Sequence, residues 1–222
     1  MSAATNNVDR DDASNGYEAV AVEFMRTRAQ SSVGAETVLR WARFLPSGAS
    51  ILDLGCGSGA PIASALCDHG FIVHGIDASR TLTDAFRRHL PETRVACEAV
   101  EDSDFFARTF DGVIAIGLIF LLPAEVQQSF LHKVATALKP DGRFLFTSPA
   151  QRCTWVDVLT GRPSHSLGAE AYCLLLEAAG LALVGEYVDE GQNHYYDTCR
   201  SCAPSPNAIQ QHLAAPDDFG ST

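Results

Sequence analysis

The chain has 222 residues, 46% of them hydrophobic and 19% charged, a balance that supports one sizeable buried core and excludes a largely disordered or fibrous chain. Lys and Arg number 16 against 27 Asp and Glu, and the resulting net charge of −11 repels a phosphate backbone, which argues against nucleic acid as a partner.

The first stretch, MSAATNNVDRDDASNG, is polar throughout, with no basic start followed by an apolar core, and no apolar run reaches bilayer length. The expectation is a cytoplasmic protein with no membrane partner. Seven scattered cysteines fit free thiols in a reducing compartment rather than a disulfide framework.

Residues 1–15 are small and polar, and 203–222 carry three prolines with little apolar periodicity, so both read as flexible tails around a single domain over 16–202. Within it, 16–48 holds two helices. The first is YEAVAVEFMRTR, with Tyr17, Val20 and Phe24 at helical spacing; the second is AETVLRWARFL, ended by Pro46.

From about residue 49 the pattern changes to short β-branched runs alternating with helical ones. The strands are SILDL, FIVHGI, TRVAC, DGVIAI and GRFLFT; the helices between them are APIASALCDHG, SRTLTDAFRRHL and AEVQQSFLHKVATAL, the last closed by Lys139-Pro140-Asp141-Gly142. That alternation predicts a doubly wound α/β domain, a mostly parallel sheet with helices on both faces, over 49–150.

The segment 148–168 is a long polar loop, and loops of that length in compact domains are more often functional than idle. Over 168–202 a helix is followed by LALVGEYV and HYYDTC, separated only by DEGQN. That gap is too short for a helical crossover, so the sheet ends in an antiparallel hairpin and has seven strands.

In doubly wound sheets the turn from the first strand into the first helix is the usual ligand contact, and here it is Gly55-Cys56-Gly57-Ser58-Gly59. Gly55, Gly57 and Ala60 also satisfy a dinucleotide fingerprint, which keeps an NAD-dependent oxidoreductase as a rival reading. Asp53, inside the strand just before the glycines, serves a cationic ligand better than a pyrophosphate. Asp77, at the end of the second strand, suits a ribose diol in either ligand class.

Together, ILDLGCGSGAPIASAL, GIDAS, FDGVIAIGLIFLL and LKPDGRFLFTSP resemble the class I S-adenosylmethionine-dependent methyltransferases over about 50–150 and in the topology of the terminal hairpin, and W-x-D-x-L-T-G-R…S-L-G with E-G-x-N-H-Y-Y resembles a small bacterial subgroup of them. The resemblance implies a Rossmann-like methyltransferase fold. It also implies methyl transfer from S-adenosylmethionine to a small-molecule acceptor by in-line displacement, with S-adenosylhomocysteine as product.

Carried over by position, Asp53, Gly55, Cys56, Gly57 and Gly59 cradle the amino-acid part of the cofactor. Asp77 holds the ribose, with Ala78 beside the adenine. Glu98 is the acidic residue after strand three, and Ala99 and Val100 flank the adenine; a shift in the strand alignment transfers the acidic role to Glu101. Ile116 and Gly117 line the methyl channel, while Tyr17 and Arg28 close over the cofactor. A second rival is a protein that binds the cofactor or its demethylated product without turnover.

On the acceptor side, Trp155 can wall an apolar substrate, Asp157 can accept a proton, and Arg162 can pair with an anion. The plainer alternatives are that Trp155 packs on the sheet and that Asp157 and Arg162 pair with each other. Alternation in the last strand puts His194 and Tyr196 on one face and Tyr195 on the other; His194 is a catalytic candidate and Tyr195 a substrate contact, against the plainer alternative that one aromatic face is core and the other covers a helix.

The C-x-x-C at Cys199 and Cys202 lacks a second ligand pair, so no metal is expected. Thiol chemistry on trivalent arsenic would draw on Cys56, Cys97 and Cys153. Oligomeric state is not legible in the sequence.

Overall fold

A computed structural model describes residues 12–200. Cys202 and most of the two expected tails lie outside the described residues. Residues 12–15, read as part of the N-terminal tail, are folded: the Asp12 carboxylate accepts from the Ser14 and Gly16 amides at 3.0 and 2.9 Å and so closes a turn that starts the first helix.

The elements in chain order are α1 (Tyr17–Arg28), α2 (Ala35–Ala42), β1 (Ser50–Leu54), α3 (Ile62–Asp68), β2 (Ile72–Asp77), α4 (Arg80–His89), β3 (Arg94–Cys97) and β4 (Phe110–Ala115). They continue as α5 (Ala124–Ala137), β5 (Leu138–Thr147), β6 (Cys153–Val156), β7 (Pro163–Ser166), α6 (Ala169–Ala178), β8 (Leu181–Val188) and β9 (His194–Arg200). Short 3₁₀ turns at Phe105–Ala107 and Ile119–Leu121 flank β4.

The main sheet has seven strands in the order β3-β2-β1-β4-β5-β9-β8. The first five strands run parallel, and β9 pairs antiparallel with both β5 and β8, as the alternation of runs and the short DEGQN gap predict. Strand order reverses between β1 and β4. A crevice therefore opens beyond their carboxyl ends, the standard ligand position in such sheets.

Two boundaries differ from expectation for visible reasons. Lys139-Pro140-Asp141-Gly142 does not stop a helix but lies inside β5, because Leu138 already pairs with Phe110 and the register slips before Gly112 meets Arg143. Asp141 takes φ +60° in that irregularity, and a Cβ on Gly142 would stand 2.9 Å from the Lys139 carbonyl.

The expected loop over 148–168 contains a second, two-stranded antiparallel sheet, β6 with β7. Its strands have four residues each, and one is Pro-Ser-His-Ser, too short and too polar to show a strand period.

Apolar clusters cover both faces of the main sheet. One joins β1, β4 and β5 to α5 and α6 around Phe130, Phe144, Phe146 and Tyr172. The other joins α2, α3 and α4 through Trp41, Leu66 and Phe86. Helix α2 approaches closely because β4 has Gly112 there, where a Cβ would lie 2.9 Å from the Trp41 ring.

Phe86 of α4 similarly fills the space left by Gly59 and Gly75, whose Cβ atoms would stand 2.9 and 3.2 Å from its ring. Truncating such a side chain to alanine costs about 3–5 kcal/mol. Helix α1 buries only Ala21. It is not part of the core but a cover over the crevice.

Candidate functional site

The crevice is a cavity of about 930 Å³, near the upper end of the usual range for small-molecule sites. Of the residues singled out from sequence, Tyr17, Arg28, Asp53, Gly55, Cys56, Gly57, Asp77, Ala78, Val100, Ile116, Gly117, Trp155, Asp157, Arg162, His194 and Tyr195 lie on its wall. Gly59, Glu98 and Ala99 do not, while Glu101 does.

The glycine loop owes its shape to β2. The amides of Gly55 and Cys56 both donate to the Ile76 carbonyl, at 2.8 and 3.1 Å, and the Gly57 amide donates to Asp77 Oδ2 at 2.9 Å. Gly57 holds φ +55° under the Phe24 ring of α1, only 3.2 Å from where a Cβ would be. Gly59, outside the wall, is glycine for packing against α4.

Asp77 also accepts from the Ser79 amide at 2.8 Å, and Ser79 caps α4 by accepting from the Leu82 amide at 3.1 Å. Burial raises the Asp77 carboxyl above its usual value, opposed by the amides of Ser79 and Gly57. On the far side of β2, the Glu98 amide donates to the Asp77 carbonyl at 3.0 Å and fixes the start of the loop that carries Val100 and Glu101.

Asp53 is buried at the floor of the cavity, and no described residue hydrogen-bonds its carboxylate. Burial and the neighbouring Asp77 push it up to about 8, while Arg28 works the other way. Burial lowers Arg28 in turn, against the pull of Tyr195, Asp189 and Asp53. An acidic group with so little compensation is suited to a cationic ligand.

The other half of the wall is assembled from distant segments. Tyr17 donates its hydroxyl to Asp157 Oδ2 at 3.1 Å, and burial together with Asp157 raises the phenol strongly. Arg162 pairs with Asp12 at 3.1 Å, not with Asp157. Asp157 Oδ1 accepts from the amides of Leu159 and Thr160 and from the Thr160 hydroxyl, so this carboxylate is committed to its own turn and to Tyr17. That leaves it poorly placed as a base.

Trp155 does not pack on the main sheet. It faces Phe120, with ring centroids 5.2 Å apart. His194 lies edge-on to Tyr196 at 4.7 Å and bonds Glu186 at 2.9 Å through Nε2. Tyr195, on the opposite face as alternation predicts, donates to Asp189 Oδ2 at 2.8 Å.

Asp189 organises the hairpin turn: it also accepts from the amides of Gly191 and Asn193, each at 2.9 Å. The sequence reading missed it, along with Phe24, Leu118 and Phe120, because their roles come from contacts rather than motifs. Glu18, also unremarked, latches α1 onto the start of α4 by accepting from the Ser79 hydroxyl and the Thr81 amide at 2.5 and 3.0 Å.

The thiols do not assemble. Cys56 lies on the wall, with its thiol raised by burial and by Asp53 and Asp77, whereas Cys97 and Cys153 are exposed. No metal-binding group of three His, Cys, Asp or Glu occurs among the described residues, and no described helix is long and apolar enough to cross a membrane.

Residues 51–142 match the family described as "Methyltransferase domain". The chain is 30% identical over 105 residues to the ubiquinone biosynthesis O-methyltransferase of Coxiella burnetii (46% of this chain, 44% of the relative). It is 31% identical over 150 residues to the aklanonic acid methyltransferase DauC of Streptomyces sp. strain C5, covering 64% of each. It thus spans about half to two thirds of these relatives' lengths. In structure it resembles the CcbJ methyltransferase of Streptomyces caelestis, with TM-score 0.68 and 17% identity over 86% of this chain and 98% of the other, a likeness of fold.

Proposed function

We propose that the chain is a class I S-adenosylmethionine-dependent methyltransferase, a reading supported by the methyltransferase-domain match over 51–142 and the related O-methyltransferase, and that it transfers a methyl group from S-adenosylmethionine to a small-molecule acceptor in the cavity. The observation that carries the proposal is the glycine loop meeting two buried carboxylates, Asp53 and Asp77, where the strand order reverses. S-adenosylmethionine supplies an electrophilic methyl group on a sulfonium.

The residues fit that molecule. Asp53 offers an unpartnered buried carboxyl to its ammonium, and Arg28 a cation to its carboxylate. Asp77 is placed for the ribose, and Ala78 and Val100 for the adenine. At Gly117 a Cβ would meet nothing within 4 Å, so a side chain there would intrude into the cavity itself. Its amide is held by the Thr147 hydroxyl at 2.7 Å.

In-line displacement needs alignment and exclusion of water more than it needs acid or base groups. Helix α1, the β6–β7 ribbon and the hairpin turn supply that enclosure around the acceptor, with Trp155 as wall, Arg162 and Tyr195 as contacts and His194 as the proton acceptor. Free thiols at the six described cysteines support a cytoplasmic setting.

Titration calorimetry with S-adenosylmethionine, S-adenosylhomocysteine and NAD in parallel tests the reading. The first two should bind and NAD should not; binding of NAD alone replaces the methyltransferase with the dehydrogenase. The pH dependence sharpens the test. Below about 8 the Asp53 carboxyl of the free protein holds its proton, and an ammonium ligand favours the ionised form.

Binding at pH 7 should therefore release a proton, and affinity should climb as pH rises toward about 8, beyond which the ligand's own ammonium loses its proton and the gain is reversed. Asp53→Asn should abolish the release. Proton release that persists in the variant would remove Asp53 from the ammonium site.

A further inference from the structure

We propose that the acceptor is a flat aromatic hydroxyl compound, a phenol in the broad sense, which enters neutral and gives its proton to His194. This deepens the methyltransferase reading and rests on it. Three features of the acceptor half of the cavity point to the same chemistry.

The first is the aromatic wall. Phe120, in the turn after β4, and Trp155, on β6, come from segments 35 residues apart in the chain (155 − 120) and meet with ring centroids at 5.2 Å and planes tilted by 53°. Both are partly accessible from the cavity, and Leu121 and Pro149 extend the apolar surface beside them. Such a surface favours a planar ring over a saturated or strongly hydrated molecule.

The second is charge. Of the two arginines on the wall, Arg162 is paired with Asp12, and Arg28, near Asp53 and Asp189, is the one assigned above to the cofactor's carboxylate. Among the described residues no unpaired cation is left at the acceptor end for a phosphate or carboxylate. Asp12 and Asp157 are likewise committed, so that end offers no free carboxylate to an ammonium group. The acceptor is therefore uncharged when it binds.

The third is His194. A carboxylate can only accept, so the 2.9 Å bond to Glu186 puts the hydrogen on Nε2 and leaves the lone pair of the neutral ring on Nδ1. No described residue bonds Nδ1. The Tyr196 ring, edge-on at 4.7 Å, fixes the plane. Imidazole is matched to hydroxyls of phenolic acidity, about 10, and not to saturated alcohols, whose acidity is closer to that of water, about 15.7.

The step balances. A lone pair on the acceptor oxygen forms the O–CH₃ bond as the CH₃–S bond breaks. The sulfur leaves as a neutral thioether, and the hydroxyl proton passes to His194 Nδ1. The resulting imidazolium stays paired with Glu186 until it loses the proton to solvent.

The probes are catechol, 1,2-dihydroxynaphthalene and 1,2-dihydroxyanthraquinone, with trans-cyclohexane-1,2-diol as the saturated counterpart and 1,2-diaminonaphthalene as the amine. Binding to the protein saturated with S-adenosylhomocysteine is read by tryptophan fluorescence. The chain has two tryptophans, and Trp41 is 1% exposed, so Trp155 reports on the cavity and Trp155→Phe should silence the response.

Planar phenols should quench and bind roughly tenfold tighter than the diol. With labelled S-adenosylmethionine the label should appear on oxygen. His194→Gln should keep phenol binding but lower turnover at pH 7 by about 100-fold or more. The deficit should narrow as pH rises through the probe's own ionisation, since a phenolate needs no base.

Equal binding of the diol or the diamine, or failure of every phenol to bind, overturns the acceptor class. A His194→Gln deficit that does not change with pH overturns the role of His194. S-adenosylhomocysteine calorimetry on the same preparations separates the layers: loss of that binding sinks the methyltransferase reading, whereas intact binding confines the failure to the acceptor.

Discussion

The two halves of the cavity are held by different kinds of bond. On the side of β1, β2 and β4 the wall is shaped by backbone: the Gly55, Cys56 and Gly57 amides reach the end of β2, and the Glu98 amide reaches the Asp77 carbonyl. On the other side it is shaped by side chains far apart in sequence, Tyr17 with Asp157, Arg162 with Asp12, and Trp41 with Asp197. A backbone-built half depends on residue types in a fixed local order. A half built from distant pairs can change its occupants without disturbing the sheet, which is how one fold can keep a cofactor and vary its acceptor.

The largest expected effect tests the anchor of the second half. Asp197 on β9 is fully buried. It accepts from Trp41 Nε1 at 3.0 Å, from the Tyr187 hydroxyl at 2.8 Å and from Arg143 Nη2 at 2.5 Å. These bonds fix the strand that presents His194 and Tyr195 against α2 and β5.

Asp197→Ala leaves the largely buried Arg143 without its counter-charge and should cost about 3–5 kcal/mol. At roughly 2–4 °C per kcal/mol for a chain of this size, that is a fall in melting temperature of about 6–20 °C. A loss below about 1 kcal/mol would show that apolar packing, not the ion pair, seats the hairpin.

Next in size is the backbone-built half. Asp77→Ala removes the acceptor for the Gly57 and Ser79 amides and the expected ribose contact. Two charge-assisted hydrogen bonds are worth about 2–4 kcal/mol, or roughly 30- to 1000-fold in S-adenosylhomocysteine affinity by calorimetry. Unchanged affinity would end the ribose assignment. Affinity for planar phenols in the presence of saturating S-adenosylhomocysteine should change much less, and a parallel loss would erase the distinction between the halves.

The same contrast explains what the sequence made legible. The parallel strands were readable because short β-branched runs alternate with amphipathic helices, and the glycine loop because its residues are adjacent. The hairpin followed from the length of one gap. Helix α1 was visible through Tyr17, Val20 and Phe24, but periodicity says only that one side is covered, not that a cavity covers it.

Asp157 and Arg162 look like partners on one turn. Arg162 instead reaches Asp12, 150 residues away in the chain, while Asp157 is filled by the amides of its own turn. Asp189 carries no motif at all; its role exists only once Gly191, Asn193 and Tyr195 fold around it.

The smallest effect isolates a single long-range bond. Tyr17→Phe keeps the ring, its edge-on contact with Phe24 at 5.3 Å and the cover over Gly57, and deletes only the hydroxyl that reaches Asp157. Asp157 keeps its three donors from Leu159 and Thr160, so no buried carboxylate is orphaned. The cost should be about 1 kcal/mol.

Its location matters more than its size, because the bond ties the cover to the ribbon that carries Trp155. Looser attachment should raise the KM for a phenolic acceptor by roughly fivefold, the equivalent of that energy, and lower the melting temperature by about 2–4 °C, while S-adenosylhomocysteine affinity barely moves. Steady-state kinetics beside calorimetry reads the split. If cofactor affinity falls as much as acceptor affinity, α1 serves both ligands equally and the two halves of the cavity are mechanically one.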